Sequence, residues 1–273
     1  MLRLTALYLY PVKSCRGFAV ESAHVDARGL VGDRRFLVVD AAGRFLTQRN
    51  HPRMALIETA LAKDTLVLSC PGHGSVSASL SGIRPSVSGL SVWKDTVSAD
   101  DCGADAAGWL TSYLGLPCRL VHTGPTYSRP IPLRKIPPSL AGDASSTHEV
   151  SFADAFPFLV ISEESLADLN CRLDAPLPMN RFRPNLVVAG ATPYAEDEWK
   201  RFRISNVVFH GATRCGRCVV TTTDQLTAAR AQEPLRTLAA YRRDEEGTVM
   251  FGRNLVHETK TGRLSVGDAV ELL

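Results

Sequence analysis

The feature that most limits the fold is the rhythm of short apolar stretches broken by turns. Leu2–Tyr10, Phe18–Val25, Phe36–Asp40, Thr65–Cys70, Cys118–His122, Leu186–Ala189 and Val249–Glu258 each read as a strand, by alternation or by β-branched and aromatic content. Helical spacing occurs in about three places. Ala104–Leu114 stops at Gly115, with Pro117 beyond it. Ser162 is a good N-cap, with Glu163 and Glu164 in the first turn of a helix expected to run through Arg172. Pro234 opens the third, with Leu235 and Leu238 on one side. Strands and helices do not alternate, and neither a Gly-x-Gly-x-x-Gly nor a P-loop is present. A doubly wound sheet is excluded, and the pattern predicts a β-rich α+β protein with strands curled into barrels.

The segment 123–147 has five prolines, several Ser and Gly, and no periodicity. It reads as a linker or lid between a first unit, 1–122, and a second, 148–273. Within it, Arg129, Arg134 and Lys135 form a basic loop that suits an acidic protein partner. A net charge of +3 carries no general nucleic-acid footprint. No apolar run approaches the ~20 residues of a membrane span. Seven scattered cysteines do not form a disulfide framework and fit a reducing compartment, so the expectation is a cytoplasmic protein and a monomer.

Chemistry concentrates in Arg214-Cys-Gly-Arg-Cys-Val-Val-Thr-Thr-Thr-Asp224. Cys215 and Cys218 each follow an arginine, and a cation beside a thiol favours the thiolate. The β-branched run Val219–Thr223 reads as a strand, which puts the thiols where a loop enters a sheet. Buried structural cysteines are one reading. A thioredoxin-like pair wants a helix after its first Cys, and a zinc site wants two more ligands. A single reactive thiolate that binds a soft metal or carries sulfur stays open beside them. In the first fifth, Lys13, Ser14, Cys15 and Arg16 surround a glycine turn, and Arg34 and Arg49 stand at strand ends. Several such cations on one small sheet can converge on an anion such as phosphate. Arg183, before Pro184, is expected to be extended.

Six stretches in order resemble the MOSC family, named for the C-terminal domain of molybdenum cofactor sulfurase. They are Tyr10-Pro-Val-Lys-Ser-Cys-Arg-Gly17, Gly32-Asp-Arg34, Ser162–Asn170, Phe182-Arg-Pro-Asn185, Tyr194-Ala-Glu-Asp197 and Arg217–Asp224. The resemblance runs from about Leu2 to Leu273, and is to members with an added N-terminal β-barrel, which include the amidoxime-reducing components. It implies two β-barrel-like domains and a molybdenum–pyranopterin cofactor in the cleft between them. It implies Cys218 as the metal ligand and catalytic residue, with Cys215 not a ligand. Lys13, Ser14, Arg34, Arg183, Asn185, Arg217, Thr47 and Arg49 fall on cofactor-binding positions, as does Asn254, and Asp154 matches an acidic residue near the metal and is the second catalytic candidate, for proton handling or support of the metal's surroundings. The implied reaction reduces N-hydroxylated compounds, amidoximes and hydroxylamines, to amino compounds. Pyridoxal phosphate binding is a further implication at family level.

One departure is that Ala155-Phe156 follow Asp154 where relatives carry hydroxyl residues. With no cysteine-rich ferredoxin segment, electrons are expected from a separate ferredoxin- or cytochrome b5-like protein. The other functions the resemblance allows are sulfur transfer through a persulfide on Cys218, and cofactor binding without turnover.

Overall fold

The strand Arg3–Leu9 sets the architecture. Its Leu4, Leu7 and Leu9 are buried, and the three-residue step between the first two follows from a register shift at Leu4/Ala6. The strand pairs with Leu186–Ala189 on one side and Phe18–Val20 on the other. It thus enters an eight-stranded sheet ordered Val270–Leu272, Arg201–Ile204, Val207–Gly216, Met250–His257, Phe158–Ser162, Leu186–Ala189, Arg3–Leu9, Phe18–Val20. The far edge returns to the start. Val270 N–H donates to Leu2 O at 3.0 Å and Leu4 N–H to Asp268 O at 2.9 Å, with Arg3 bridging Ala269. The sheet is therefore closed into a barrel, which removes its open edges. Leu4, Leu7, Phe158, Val160, Phe202, Phe209 and Leu255 fill its interior. This computed structural model describes residues 1–82, 84–141 and 147–273.

One barrel pair is parallel, Phe158–Ser162 with Leu186–Ala189. A parallel pair needs a crossover, and the helix Glu163–Asn170 supplies it. Ser162 caps that helix by accepting from Ser165 N–H at 3.1 Å.

The second core lies among two further sheets and the helix Ala104–Leu114. One sheet is ordered Phe36–Asp40, Cys118–His122, Asp95–Asp101, Ser86–Val92; the other, Glu58–Ala62, Thr65–Cys70, Gly74–Ser79. Phe36 and Val38 face the helix, while Leu37 and Val39 face Val92, Val97, Tyr127 and Phe152. Burial on both faces explains the unbroken apolar run in this strand. The helix ends at Gly115 in the left-handed region, φ 74°, as its sequence predicts.

A small sheet of Gly262–Ser265, Ser22–Asp26 and Gly29–Leu30 ties the chain's two ends together. The division drawn at residues 122 and 148 separates chain segments, not sheets: strands of the first segment complete the barrel of the second.

Several local expectations change. Val219–Thr222 is a 3-10 helix, not a strand; the long strand Val207–Gly216 precedes the second thiol instead. Pro52–Leu56 is a 3-10 turn before the strand Glu58–Ala62. The third helix is short, Leu235–Ala239. Residues 142–146 of the expected linker lie outside the described residues. The rest of it is not structureless: Tyr127, Ile131 and Ile136 are buried, and Pro138–Ala141 is helical. Arg129 is buried rather than solvated. It meets Asp95 at 2.7 Å and the carbonyls of Ser151, Ala153 and Asp154, so it is not part of an exposed docking loop. Among the described residues no helix is long and apolar enough to cross a membrane.

Candidate functional site

A cleft of about 840 Å³, open to solvent, lies where the barrel meets the second core. It is lined by Lys13, Ser14, Arg34, Arg49, Asp154, Arg183, Asn185, Arg217, Cys218 and Asn254, with Ala155, Phe156, Phe158, Leu159 and Phe182 as an apolar wall. These residues come from loops at the ends of strands, where the scaffold holds them in place. Of the expected site residues only Thr47 is absent from the wall. It is buried and accepts from Arg49 N–H at 3.0 Å, so it shapes the arginine's backbone. Cys15 and Arg16, neighbours of Lys13 and Ser14, turn away. The Cys15 thiol is in the second core, pushed up to about 12 by burial, and Arg16 pairs with Glu58 at 2.7 Å.

The thiols do not meet the arginines that precede them in the chain. Arg214 and Cys215 are neighbours at the end of one strand, where a register shift between Arg214 and Gly216 interrupts the regular pairing. Cys215 Sγ instead receives Arg217 Nη1–H at 3.0 Å. Cys218 Sγ receives Arg49 Nη2–H at 3.3 Å, from a residue far away in sequence. Cys218 caps the 3-10 turn Val219–Thr222: its carbonyl accepts from Thr221 N–H at 3.0 Å and from Thr221 Oγ1–H at 2.9 Å. The Thr-Thr-Thr run is therefore a buried pedestal for the thiol rather than a ligand surface.

Five cations line the cleft against one carboxylate. Asp154 is held by Lys13 Nζ and, at 3.5 Å, by Arg49 Nη2. Burial by itself would raise its carboxyl, but Lys13, then Arg49 and Arg34, outweigh burial and hold it below the usual carboxylate range. The side chain is 59% exposed to the open cleft, and solvent and the cations together keep it ionised. Burial pushes the Lys13 ammonium down to about 8, with Asp154 opposing and Arg129 and Arg34 adding to the fall.

Arg34 and Arg183 stack on Tyr10, their guanidinium carbons 4.5 Å and 4.3 Å from the ring centroid. Arg34 donates to Asp33 Oδ2 at 2.6 Å, Asn185 Oδ1 at 2.9 Å and Arg183 O at 3.1 Å, so it stitches the two halves together. Arg183 Nη1–H donates to Cys15 O at 2.7 Å. These contacts explain why Arg183 is not extended before Pro184 but sits at φ 57°. Ser14 and Arg34 also have positive φ, 68° and 47°, so three wall residues carry backbone strain that only their surroundings can maintain. Burial lowers Arg183 to about 10; Tyr10 raises it and the like charge of Arg34 lowers it.

The wall fits an anionic group with a soft metal. Arg217 Nε, on this wall, is buried and has no hydrogen-bond partner among the described residues. Among the described residues no group of three His, Cys, Asp or Glu side chains could hold a bare metal ion. One thiol is then a fitting donor only for a metal that brings its other ligands with it.

A barrel joined to a second β core, with a cation-lined cleft and a thiol at their junction, defines the class. Family comparison agrees: residues 1–117 match the MOSC N-terminal beta barrel domain and 147–271 the MOSC domain. The chain belongs to the MOSC family. It is 36% identical to the human mitochondrial amidoxime-reducing component 1 over 98% of this chain and 82% of that protein. It is 34% identical to the molybdenum cofactor sulfurase of Danio rerio over 98% of this chain, which spans 34% of that longer protein. Among solved structures, the YUAD protein of Bacillus subtilis aligns over 99% of this chain and 95% of its own, at 11% identity and a TM-score of 0.42.

Sequence reasoning missed Trp93 and Tyr10, the rings on which the cleft's cations lie. Tyr10 stands within a quoted motif, but nothing in a linear pattern says which cation it meets.

Proposed function

We propose that the protein is a molybdenum-cofactor oxidoreductase that reduces amidoximes and hydroxylamines to amino compounds, with Cys218 as the metal ligand. The observation that carries this reading is the Cys218 thiol set in a cleft with five cations and one carboxylate. The relatives named for amidoxime reduction and cofactor sulfuration support it. When bound, a molybdenum–pyranopterin supplies two-electron chemistry and an acceptor for oxygen.

The chain's own residues do the rest. Lys13, Ser14, Arg183 and Arg217 would hold the cofactor's phosphate and polar edge, with Arg able to grip phosphate by two parallel hydrogen bonds. Arg34 and Asn185, bonded to each other at 2.9 Å, fix the wall behind them. Arg49 keeps positive charge on the Cys218 sulfur. Asp154 is held ionised by the cations around it and so anchors Lys13 and Arg49; Lys13, down at about 8, is the wall group that both holds a proton at neutral pH and can release one. Ala155 and Phe156 give the cleft an apolar side, which suits substrates whose N-hydroxyl group sits on an apolar body. Reducing equivalents come from a separate donor protein.

The test is molybdenum content of protein made in a host with an intact cofactor pathway, then turnover of benzamidoxime with a chemical electron donor. Near one molybdenum per chain and turnover are expected, both lost in Cys218→Ala and kept in Cys215→Ala. Absence of metal with labile sulfur on Cys218 would shift the reading to sulfur transfer. Bound metal without turnover would leave a binding module.

A further inference from the structure

Trp93 stands at a place where its side chain is costly. It is the first residue of the two-residue loop, Trp93-Lys94, joining Ser86–Val92 to Asp95–Asp101, whose Val92 and Asp95 pair directly. Its φ is 60°. Tight hairpin loops of this length need positive φ at that position, and Gly, Asn or Asp ordinarily fill it. A bulky aromatic there is strained, and here it is also 44% exposed. Neither turn formation nor core packing accounts for the choice.

The ring's neighbours do. Arg49 Cζ lies 4.5 Å from its centroid and Lys13 Nζ 5.8 Å, while Phe45 backs it at 5.1 Å. Both cations reach Asp154, and Arg49 alone goes on to the Cys218 sulfur. A long arginine side chain has several rotamers, and an aromatic face restricts them while leaving its charge in place. We infer that Trp93 is a positioning residue: its indole face holds the Arg49 guanidinium against Sγ of Cys218. Trp93 is not among the residues that line the cleft and acts through the arginine. The inference concerns the thiol on which the proposed function rests, but its test needs no metal, so either can fail without the other.

The experiment alkylates the metal-free protein at one pH with iodoacetate, an anion, and with iodoacetamide, its neutral analogue, and follows Cys218 by peptide mass spectrometry. A cation at hydrogen-bond distance favours the anionic reagent, on the order of fivefold. The iodoacetate-to-iodoacetamide rate ratio at Cys218 should fall by that amount in Arg49→Ala. It should fall nearly as far in Trp93→Gly, which relieves the φ strain and so favours folding, and in Trp93→Asn. It should be retained in Trp93→Phe, which keeps a ring face. Cys215, whose sulfur is served by Arg217, is the internal reference and should not change. A wild-type ratio in both Trp93→Gly and Trp93→Asn would overturn the proposal. So would an unchanged ratio in Arg49→Ala, or a Trp93→Phe loss as large as that of Trp93→Gly.

Discussion

Tyr10 carries two arginines on its ring, and the glycine that leaves room for that ring lies seven residues on. A Cβ on Gly17 would come within 2.3 Å of the Tyr10 ring and 2.6 Å of Leu9 O. Gly17→Ala must therefore push the ring away from Arg34 and Arg183. We expect a loss of about 1–3 kcal/mol in denaturant unfolding, together with weaker cofactor retention. Tyr10→Phe is the informative contrast. The hydroxyl has no hydrogen-bond partner among the described residues, so its removal should leave stability within about 0.5 kcal/mol of wild type. Lys13 gives a prediction with a sign. Burial holds it at about 8, against an ordinary 10.5, with Asp154 opposing and Arg129 and Arg34 assisting. The ammonium form is thus present below about 8 and lost above it, while the arginines and the Asp154 carboxylate keep their charges. Binding of an anion such as pyrophosphate to the metal-free cleft should weaken as pH rises from 7 to 9. Calorimetry should find that step missing in Lys13→Ala.

At the scale of elements, the serine-capped helix Glu163–Asn170 shows how a family motif can be structural. Glu196 is fully buried and accepts from Ser162 N–H at 3.1 Å, Ser162 Oγ–H at 3.0 Å and Ser165 Oγ–H at 2.7 Å. It joins the Tyr194–Asp197 stretch to the start of the crossover helix, and burial raises its carboxyl while those donors lower it. Glu196→Ala leaves the Ser162 amide and one of the two serine hydroxyls without an acceptor in the interior, since Ser162 Oγ and Ser165 Oγ still bond each other at 2.7 Å. The expected cost is about 2–4 kcal/mol in denaturant unfolding, with no direct effect on the thiols. The thiol turn is the converse. Its β-branched run suits a strand by composition, but Thr221 and Thr222 each return a hydroxyl to a carbonyl three residues back, Cys218 O and Val219 O. Such local bonds stabilise a tight turn in place of a ladder.

On the scale of the whole molecule, the two ends of the chain hold each other. The barrel closes through Leu2, Leu4, Asp268 and Val270, and His257 Nε2–H donates to Asp26 O at 2.7 Å across the join. Burial lowers His257 to about 3, with Lys260 assisting, and His122 to about 4, with Arg84, Arg35 and Arg28 assisting. Both are neutral in the folded protein, whereas the unfolded chain takes up their protons below about 6.5. Stability from these sites is complete above that pH and is lost as pH falls toward 4. Denaturation midpoints at pH 7.5 and 5.0 should show the fall, and His122→Gln should reduce it. Unfolding should also be a single transition in both halves, because no cut near residue 122 separates the sheets.

Much of this was legible in the order of residues. The strand-rich plan, the helix ended by Gly115, the serine cap and the family motifs all depend on neighbours within a few positions. Lys13, Ser14, Arg34, Arg49, Asp154, Arg183, Asn185, Arg217 and Cys218 were each nameable as candidates. Which cation meets which sulfur was not. Cys215 meets Arg217 across an irregular strand end, and Cys218 meets Arg49 only because the fold brings a distant loop to it. Tertiary structure alone decided that Thr47 lies behind the wall, that Arg129 is buried, and that barrel closure draws the first strand in among the last. The seam joins the first residues of the chain to the last, and Arg129 reaches carbonyls more than twenty positions on, separations that no local period encodes.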